Sequence, residues 1–346
     1  MRRTLAVVLA AVALLAAGCN KSSSPGAASS APLVGVDYPR SDSDFWNSYI
    51  KYVPEQGKSL GLDLKTTNSN NEIATLTSNV QSLVGQGVKG VVIAPQDTAA
   101  VAPTLDQLKT KKIPVVSVDT RPDKGDVFMV VRANNRSYGE KACGFLGEKL
   151  KGKGKVAMLE GDLASINGRD RTEAFNDCMK AKYPDITVIG LTTDWKGDVA
   201  ANKLQTTIAA NPDLKGIYMQ AGGVFLAPTL NVLKQKNMLV PPTDDKHVFI
   251  VSNDGIAEEL KNIKDGNIDA TVSQPADLYA KYALFYVKAA IDGKTFKAGP
   301  TDHDSNIVEP RPGLMEDQLP APLVTLDGSG GSMKYDDAKL WGNQIK

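Results

Sequence analysis

From residue 33 onward, short apolar runs alternate with longer stretches in which apolar positions recur every three to four residues. Residues 33–36, 62–67, 90–95 and 115–119 read as strands, and residues 46–60, 72–86 and 101–110 between them as helices. The run Val115-Val116-Ser117-Val118 leaves no polar face, which suits a parallel strand covered by helices on both sides, and Pro114 is tolerated because it opens the run. After a break the rhythm resumes. Strands at 127–131, 155–159, 187–191, 216–219, 248–252 and 269–272 alternate with helices at 137–151, 169–182, 199–210, 227–235, 258–265 and 278–292. A repeated βα alternation predicts an α/β chain with parallel sheets and right-handed crossovers, and the restart predicts two similar lobes. Beyond residue 296 the chain is richer in proline and less periodic, with Gly328-Ser329-Gly330-Gly331 before a short segment at 335–341. This tail is expected on the surface near a hinge.

A length of 346 residues suffices for two ordinary domains, each with its own core, and 42% hydrophobic with 23% charged residues is a globular balance. The formal charge of +1 supplies no field that would gather nucleic acid or an anionic membrane.

The first residues carry an address. Arg2 and Arg3 precede an apolar stretch at 5–15, too short to span a bilayer permanently, and Ala16-Ala17-Gly18 supplies the small residues of a cleavage site directly before Cys19. The arrangement resembles a bacterial lipoprotein signal, which implies that Cys19 is diacylated and becomes the first mature residue. Residues 20–30 are rich in Ser, Ala, Gly and Pro and read as a flexible tether. Plain secretion with cleavage near Ala17 is the alternative. Removing Arg2 and Arg3 takes the charge from +1 to −1, so the mature chain stays nearly neutral.

Cys143 and Cys178 remain, one on each of the helices flanking the strand at 155–159. An exported chain permits a disulfide between them, and two buried thiols are the other possibility. His247 and His303 are the only histidines, and no Cys/His spacing suggests a metal site.

Polar groups recur at the carboxyl ends of the strands, where open parallel sheets bind ligands. Asp37 follows the first strand, Asp119 and Arg121 the fourth, Asn134-Asn135 the fifth, and Asn253-Asp254-Gly255 and Gln274 the last two; Arg169-Asp170-Arg171 opens a helix. Phe45-Trp46 and Trp195 stand at or just before helix starts. Taken alone, Asp119 and Arg121 read as a solvated turn before Pro122-Asp123-Lys124-Gly125, the asparagines as caps, and Trp195 as an ordinary half-buried aromatic. Their recurrence at one edge of the sheets suits a polyhydroxylated ring: its hydroxyls need paired donors and acceptors, and its C–H faces an aromatic plane.

The chain resembles the ribose-binding-protein family, the type I sugar-binding components of bacterial ABC importers. The likeness rests on Leu33-Val34-Gly35-Val36-Asp37 with Asp44-Phe45-Trp46, Gly90-Val91-Val92-Ile93-Ala94-Pro95, Ile113-Pro114-Val115-Val116-Ser117-Val118-Asp119, Arg169-Asp170-Arg171-Thr172-Glu173-Ala174-Phe175, Asn253-Asp254-Gly255 and Ala270-Thr271-Val272-Ser273-Gln274. It implies two Rossmann-like lobes with parallel sheets, joined by a three-segment hinge and closing on one sugar. The lobes would be 32–133 plus 275–305 and 134–274 plus 306–346, after a signal peptide at 1–18 and a tether at 19–31. The implied ligand contacts are Phe45, Trp46 and Trp195 as stacking rings, Asp119 and Asp254 as acids, Asn135 and Arg171 as polar contacts of the second lobe, and Gln274 as a hinge amide. Asp37 falls where the family often has a small polar residue, and Arg121 stands one place beyond the family's arginine. Gln220-Ala221-Gly222-Gly223 replaces a usual Asn-Asp, and two extra residues lengthen the loop before Phe45, so the ligand is expected to sit differently from ribose.

The resulting expectation is an extracytoplasmic, lipid-anchored, monomeric binding protein at the outer face of the cytoplasmic membrane. It would pass a monosaccharide or polyol to an ABC permease and need no cofactor. A glycosidase would require two carboxyls at a set separation, which no sequence feature defines. Gly152-Lys153-Gly154-Lys155 reads as a helix stop rather than a phosphate loop. A repressor with the same lobes would begin with a helix-turn-helix, where this chain has an export signal; a receptor for a signalling partner remains compatible.

Overall fold

A computed structural model describes residues 31–345, so the signal peptide, Cys19 and the tether up to residue 30 lie outside the described residues. The chain opens with β1 (Leu33–Tyr38), α1 (Asp44–Ser59), β2 (Asp63–Asn68), α2 (Ile73–Gly85), β3 (Gly90–Ile93), α3 (Ala102–Thr110), β4 (Val115–Val118) and β5 (Met129–Ala133). It then builds a second unit of the same kind: α4 (Asn135–Lys149), β6 (Gly154–Glu160), α5 (Ile166–Lys182), β7 (Ile186–Thr192), α6 (Gly197–Ala210), β8 (Leu214–Met219), α7 (Gly222–Gln235), β9 (Phe249–Asp254), α8 (Ala257–Lys264) and β10 (Ala270–Ser273). The rest is α9 (Ala276–Ile291), β11 (Gly299–Pro300), β12 (Asn306–Arg311), β13 (Leu314–Leu319), β14 (Leu323–Thr325), β15 (Met333–Lys334) and α10 (Trp341–Gln344).

Two mostly parallel sheets result, in the orders β11-β12-β13-β5-β4-β3-β1-β2 and β15-β14-β10-β9-β8-β6-β7. This is the two-lobe α/β architecture anticipated from the alternation. Successive strand residues serve opposite faces: Val92 and Val116 join α1 and α9 in one core, while Val91, Ile93 and Val115 join α2 and α3 in another. The second lobe repeats the scheme, with Leu159, Ile217 and Met219 packed on α6 to α8, and Val156, Met158 and Tyr218 packed with residues of α4 and α5. Because both faces are covered, the central strands β3, β4, β5 and β10 are buried throughout, and polar groups collect where they stop.

The tail departs from expectation. The division at residue 305/306 is wrong, because β12 and β13 continue the first sheet, β13 running parallel to β5 with Glu316 opposite Val130 and Leu319 opposite Ala133. The third crossing between the lobes therefore lies between Leu319 and Leu323, beside those after β5 and after β10. The first crossing follows β5, which pairs with β4 in the first sheet. The strand β13 hid its period because Glu316 and Asp317 are fully buried in it. Their charge is met by Arg121 and Arg132 on one side and by Ser305, Tyr286 and His303 on the other. Pro310 in β12 is accommodated at an irregularity between Val308 and Arg311.

Of the two states open to the cysteines, the bridge is the one formed: Cys143 of α4 and Cys178 of α5 are joined, with Cα atoms 6.2 Å apart. Among the described residues no helix is long and apolar enough to cross a membrane.

Candidate ligand-binding cleft

The loops after β1, β3, β4, β6, β7, β8, β9 and β10 converge on a cavity of about 40 Å³ between the lobes, room for roughly three water molecules. The first lobe lines it with Arg40, Ser43, Phe45, Trp46, Gln96 and Asp119. The second contributes Asn167, Arg171, Trp195, Ala221, Val224 and Asp254, and Gln274 enters from the hinge. Seven of the expected residues thus meet here: Phe45, Trp46, Asp119, Arg171, Trp195, Asp254 and Gln274.

Three of these have backbones that L-residues seldom adopt, with φ +66° at Asp119, +56° at Trp195 and +108° at Asp254; Asp194, beside Trp195, is at +52°. Each such conformation costs on the order of 1–3 kcal/mol and persists only where surrounding structure enforces it. The strain turns each side chain sharply at the end of its strand or loop. Asp194 and Trp195 form a left-handed pair just before α6, and the Trp195 ring lies nearly parallel to Phe225, 6.4 Å away.

Arg171 organises the polar side. Its Nε donates to Asn135 Oδ1 at 2.6 Å and one terminal nitrogen to Gln274 Oε1 at 2.7 Å, while the other terminal nitrogen donates to the Gln220 carbonyl. All three acceptors are neutral, so its charge acts on the two acids across the cavity rather than being cancelled by a bonded carboxylate. The guanidinium also lies over the rings of Tyr138, at 4.9 Å, and Trp195, at 5.8 Å.

Asp119 accepts from Asn167 Nδ2 at 2.9 Å and from Gln274 Nε2 at 3.2 Å, and its backbone carbonyl accepts from Arg132 Nε at 3.2 Å. Burial pushes its carboxyl up to about 6, against the lowering pull of Arg171, Arg132 and the Asn167 bond. Asp254 accepts from the Gly223 N–H at 2.8 Å, and burial likewise raises it, with Arg171 opposing and Asp119 adding to the rise. Behind it, Glu259 accepts from the backbone N–H groups of Gly255 and Ile256 at 2.7 and 3.1 Å; it too is raised, by burial and by the Asp254 charge.

The lobes touch around the cavity. Arg40 is held by Asp42 and donates to the Trp195 carbonyl at 3.2 Å, and Arg169 pairs with Asp123 at 2.7 Å. Gly223 of the second lobe permits a close approach to the first: a Cβ there would stand 3.0 Å from Ser43 Oγ and 3.1 Å from the Phe45 nitrogen.

Three expected contacts are placed elsewhere. Asp37 does not line the cavity; Thr67 and Asn79 each donate to it at 2.7 Å inside the first lobe, and burial raises its carboxyl. Arg121 does not line it either, because β13 brings Glu316 within 3.1 Å of its guanidinium. Asn135 is fully buried and orients Arg171 instead of facing the cavity. Gln220 occupies the position of the family's missing amide but turns inward, accepting from the Gly161 N–H at 3.0 Å and donating to Thr172 at 2.7 Å.

Sequence reasoning missed Arg40, Ser43, Gln96 and Asn167, as well as the fully buried Arg132, which bonds Asn167 at 2.7 Å and Asp170 at 3.0 Å. Gln96 follows Ala94-Pro95 at a strand end, and Arg132 closes an otherwise apolar strand, so both left a signal; Arg40 and Ser43 sit in a loop without period. Both histidines serve the frame, His247 against Asp269 and His303 stacked on Tyr282. Among the described residues no group of three or more His, Cys, Asp or Glu side chains could hold a metal ion.

A two-lobe α/β fold with a polar, aromatic-walled cleft at its hinge defines a class of ligand-binding proteins. The chain belongs to the periplasmic binding protein domain family, which it matches over residues 34–295. It is 28% identical over 245 residues to the xylitol-binding protein of Mycolicibacterium smegmatis, covering 70% of this chain and 68% of that one. It is 25% identical over 261 residues to the ribose import binding protein of Bacillus subtilis, covering 75% and 82%. A solved ABC transporter solute-binding protein from Mycobacterium smegmatis with bound glycerol superposes with a TM-score of 0.71 at 25% identity, over 77% of this chain and 90% of that one.

Proposed function

We propose that this chain is the solute-binding component of an ABC importer, that it encloses a monosaccharide or polyol in the cleft, and that it hands this ligand to a membrane permease. The observation that carries the reading is the meeting of Asp119 and Asp254, one acid from each lobe, in one cavity with Arg171, whose charge acts on both, and with Trp46 and Trp195 in the walls. Carboxylates and a guanidinium can bind neighbouring hydroxyls as paired acceptors and donors, and the rings can cover C–H faces. Contacts drawn from both lobes favour the closed form, so ligand shifts the population toward it. The cavity of about 40 Å³ is smaller than a sugar, so on this reading the lobes part to admit the ligand and settle around it. No covalent step is needed, and the chain's role is carriage rather than turnover. Cys19 would bear the lipid that keeps the protein at the outer face of the membrane.

The test is a thermal-shift and calorimetry panel of xylitol, glycerol, D-ribose, D-allose and L-arabinose. A binder at 100 times its dissociation constant stabilises the fold by about 2.7 kcal/mol. Absence of any shift across the panel and a wider set of pentoses, hexoses and polyols overturns the reading. For the anchor, Cys19→Ala is expected to release the protein from the membrane fraction; unchanged membrane association overturns that part.

A further inference from the structure

We infer that Trp341, in the tail beyond the matched domain, is a positioning residue for the ligand cavity and a strut between the lobes. The inference rests on the reading of the cleft as a sugar or polyol site.

Trp341 opens the short α10 and is 3% exposed. Its indole N–H donates to the backbone carbonyl of Asp254 at 3.2 Å, a carbonyl that also accepts from the Gln274 N–H at 2.9 Å. Its ring meets Phe45 edge-on, with centroids 6.0 Å apart at 82°. Phe45 in turn meets Trp46 edge-on at 5.2 Å. One tail side chain therefore stands behind an acid of the second lobe and an aromatic of the first, and both of those line the cavity.

The placement is specific. Asp254 sits at φ +108° and Gly255 at +75°, so the turn that aims the Asp254 carboxylate is one that needs outside support. The tail is seated against that same turn through Gly342, where a Cβ would stand 2.2 Å from the Gly255 carbonyl. Asn343 ties the tail to itself by donating to the Tyr335 and Asp337 carbonyls, both at 2.9 Å. The apolar cluster that receives Trp341 also mixes lobes, containing Ile256 from the second and Phe45 and Tyr279 from the first. Opening the lobes must separate Phe45 from Asp254, and the indole cannot keep both contacts once they part. Trp341 thus favours the closed form and sets the height of the Asp254 carboxylate above the cavity.

Three full-length proteins decide it: wild type, Trp341→Phe, which keeps the edge-on ring but loses the N–H donor, and Trp341→Ala. Each is measured for affinity toward xylitol, D-ribose and D-allose by calorimetry, for melting temperature, and for ligand-free radius of gyration by small-angle scattering. Trp341→Phe is expected to weaken whichever of these ligands binds wild type by about five- to tenfold with little change in melting, as loss of one buried hydrogen bond implies. Trp341→Ala is expected to weaken it by about a hundredfold and to enlarge the ligand-free particle. Affinities within twofold of wild type in Trp341→Phe, whatever happens to melting, overturn the positioning role. If neither these three ligands nor any of the wider set of pentoses, hexoses and polyols binds wild type, the reading of the cleft fails and scattering alone decides the strut: an unchanged radius in Trp341→Ala overturns it, an enlarged one supports it.

Discussion

Arg171 donates to Gln274 across 2.7 Å, and Gln274 donates onward to Asp119 across 3.2 Å. One amide at a hinge crossing thereby links the arginine of the second lobe to the acid of the first, and the three groups form a relay in which the position of each depends on the other two. Closure completes it, because Asp119 and Arg171 belong to different lobes.

Arg171→Ala is expected to abolish ligand binding and to destabilise the protein. The deletion leaves Asn135 Oδ1, Gln274 Oε1 and the Gln220 carbonyl without their shared donor, at about 1–3 kcal/mol for each group that finds no replacement. Calorimetry reads the first effect and urea unfolding the second. Retained affinity removes Arg171 from the site.

The raised acids predict a pH dependence of the ligand-free protein. Asp119 titrates near 6 when folded and near 3.8 when exposed, so the folded form holds more protons between these values and stability falls as pH rises from about 4 to about 6. The loss is on the order of 3 kcal/mol for this one group, since each tenfold change in proton affinity is worth about 1.36 kcal/mol. Asp254 and Glu259 are raised in the same direction and extend the decline to higher pH. Melting temperatures of wild type and Asp119→Asn across pH 4–7 check this; the variant is expected to have the shallower slope, and parallel curves contradict the assignment.

Gly223→Ala tests closure without removing any polar group. The added methyl meets Ser43 Oγ at 3.0 Å and the Phe45 nitrogen at 3.1 Å, both in the opposite lobe. Affinity is expected to fall about tenfold, since overpacking costs typically 1–3 kcal/mol, while the lobes themselves melt as before. Scattering of the liganded variant would show a more open particle.

Reduction of the bridge between Cys143 and Cys178 opens a loop set by a separation of 35 residues. The chain-entropy relation gives a loss of roughly 3–4 kcal/mol. Urea midpoints with and without reductant measure it. Because α5 also carries Arg171, reduced protein is expected to bind ligand more weakly as well.

Much of this was legible along the chain. Parallel strands covered on both faces must be apolar throughout, so the runs around Val91, Val115 and Val156 declared themselves, and the polar residue closing each run marked the edge where ligands gather. Asp119, Asp254 and Gln274 were found by that logic. It failed at Asp37, which has the same address but faces Thr67 and Asn79 inside its own lobe. Order along a strand says where a residue ends up, and says nothing of which neighbour takes its hydrogen bonds.

Composition and period by themselves determined the two-lobe α/β class, the strand ends as the ligand edge, and the aromatic and acidic residue types found there. The tertiary structure decided the rest, because those choices depend on contacts between distant segments. Glu316 and Asp317 break the period of β13, yet once buried Glu316 draws Arg121 away from the cleft and holds Arg132 beneath it. Arg40 and Asn167 reach the cavity only because the lobes close on it. Trp341 comes from a tail that local pattern assigned to the surface, and only the folded chain places its indole against Asp254 and Phe45, where burial and a single hydrogen bond give it a task.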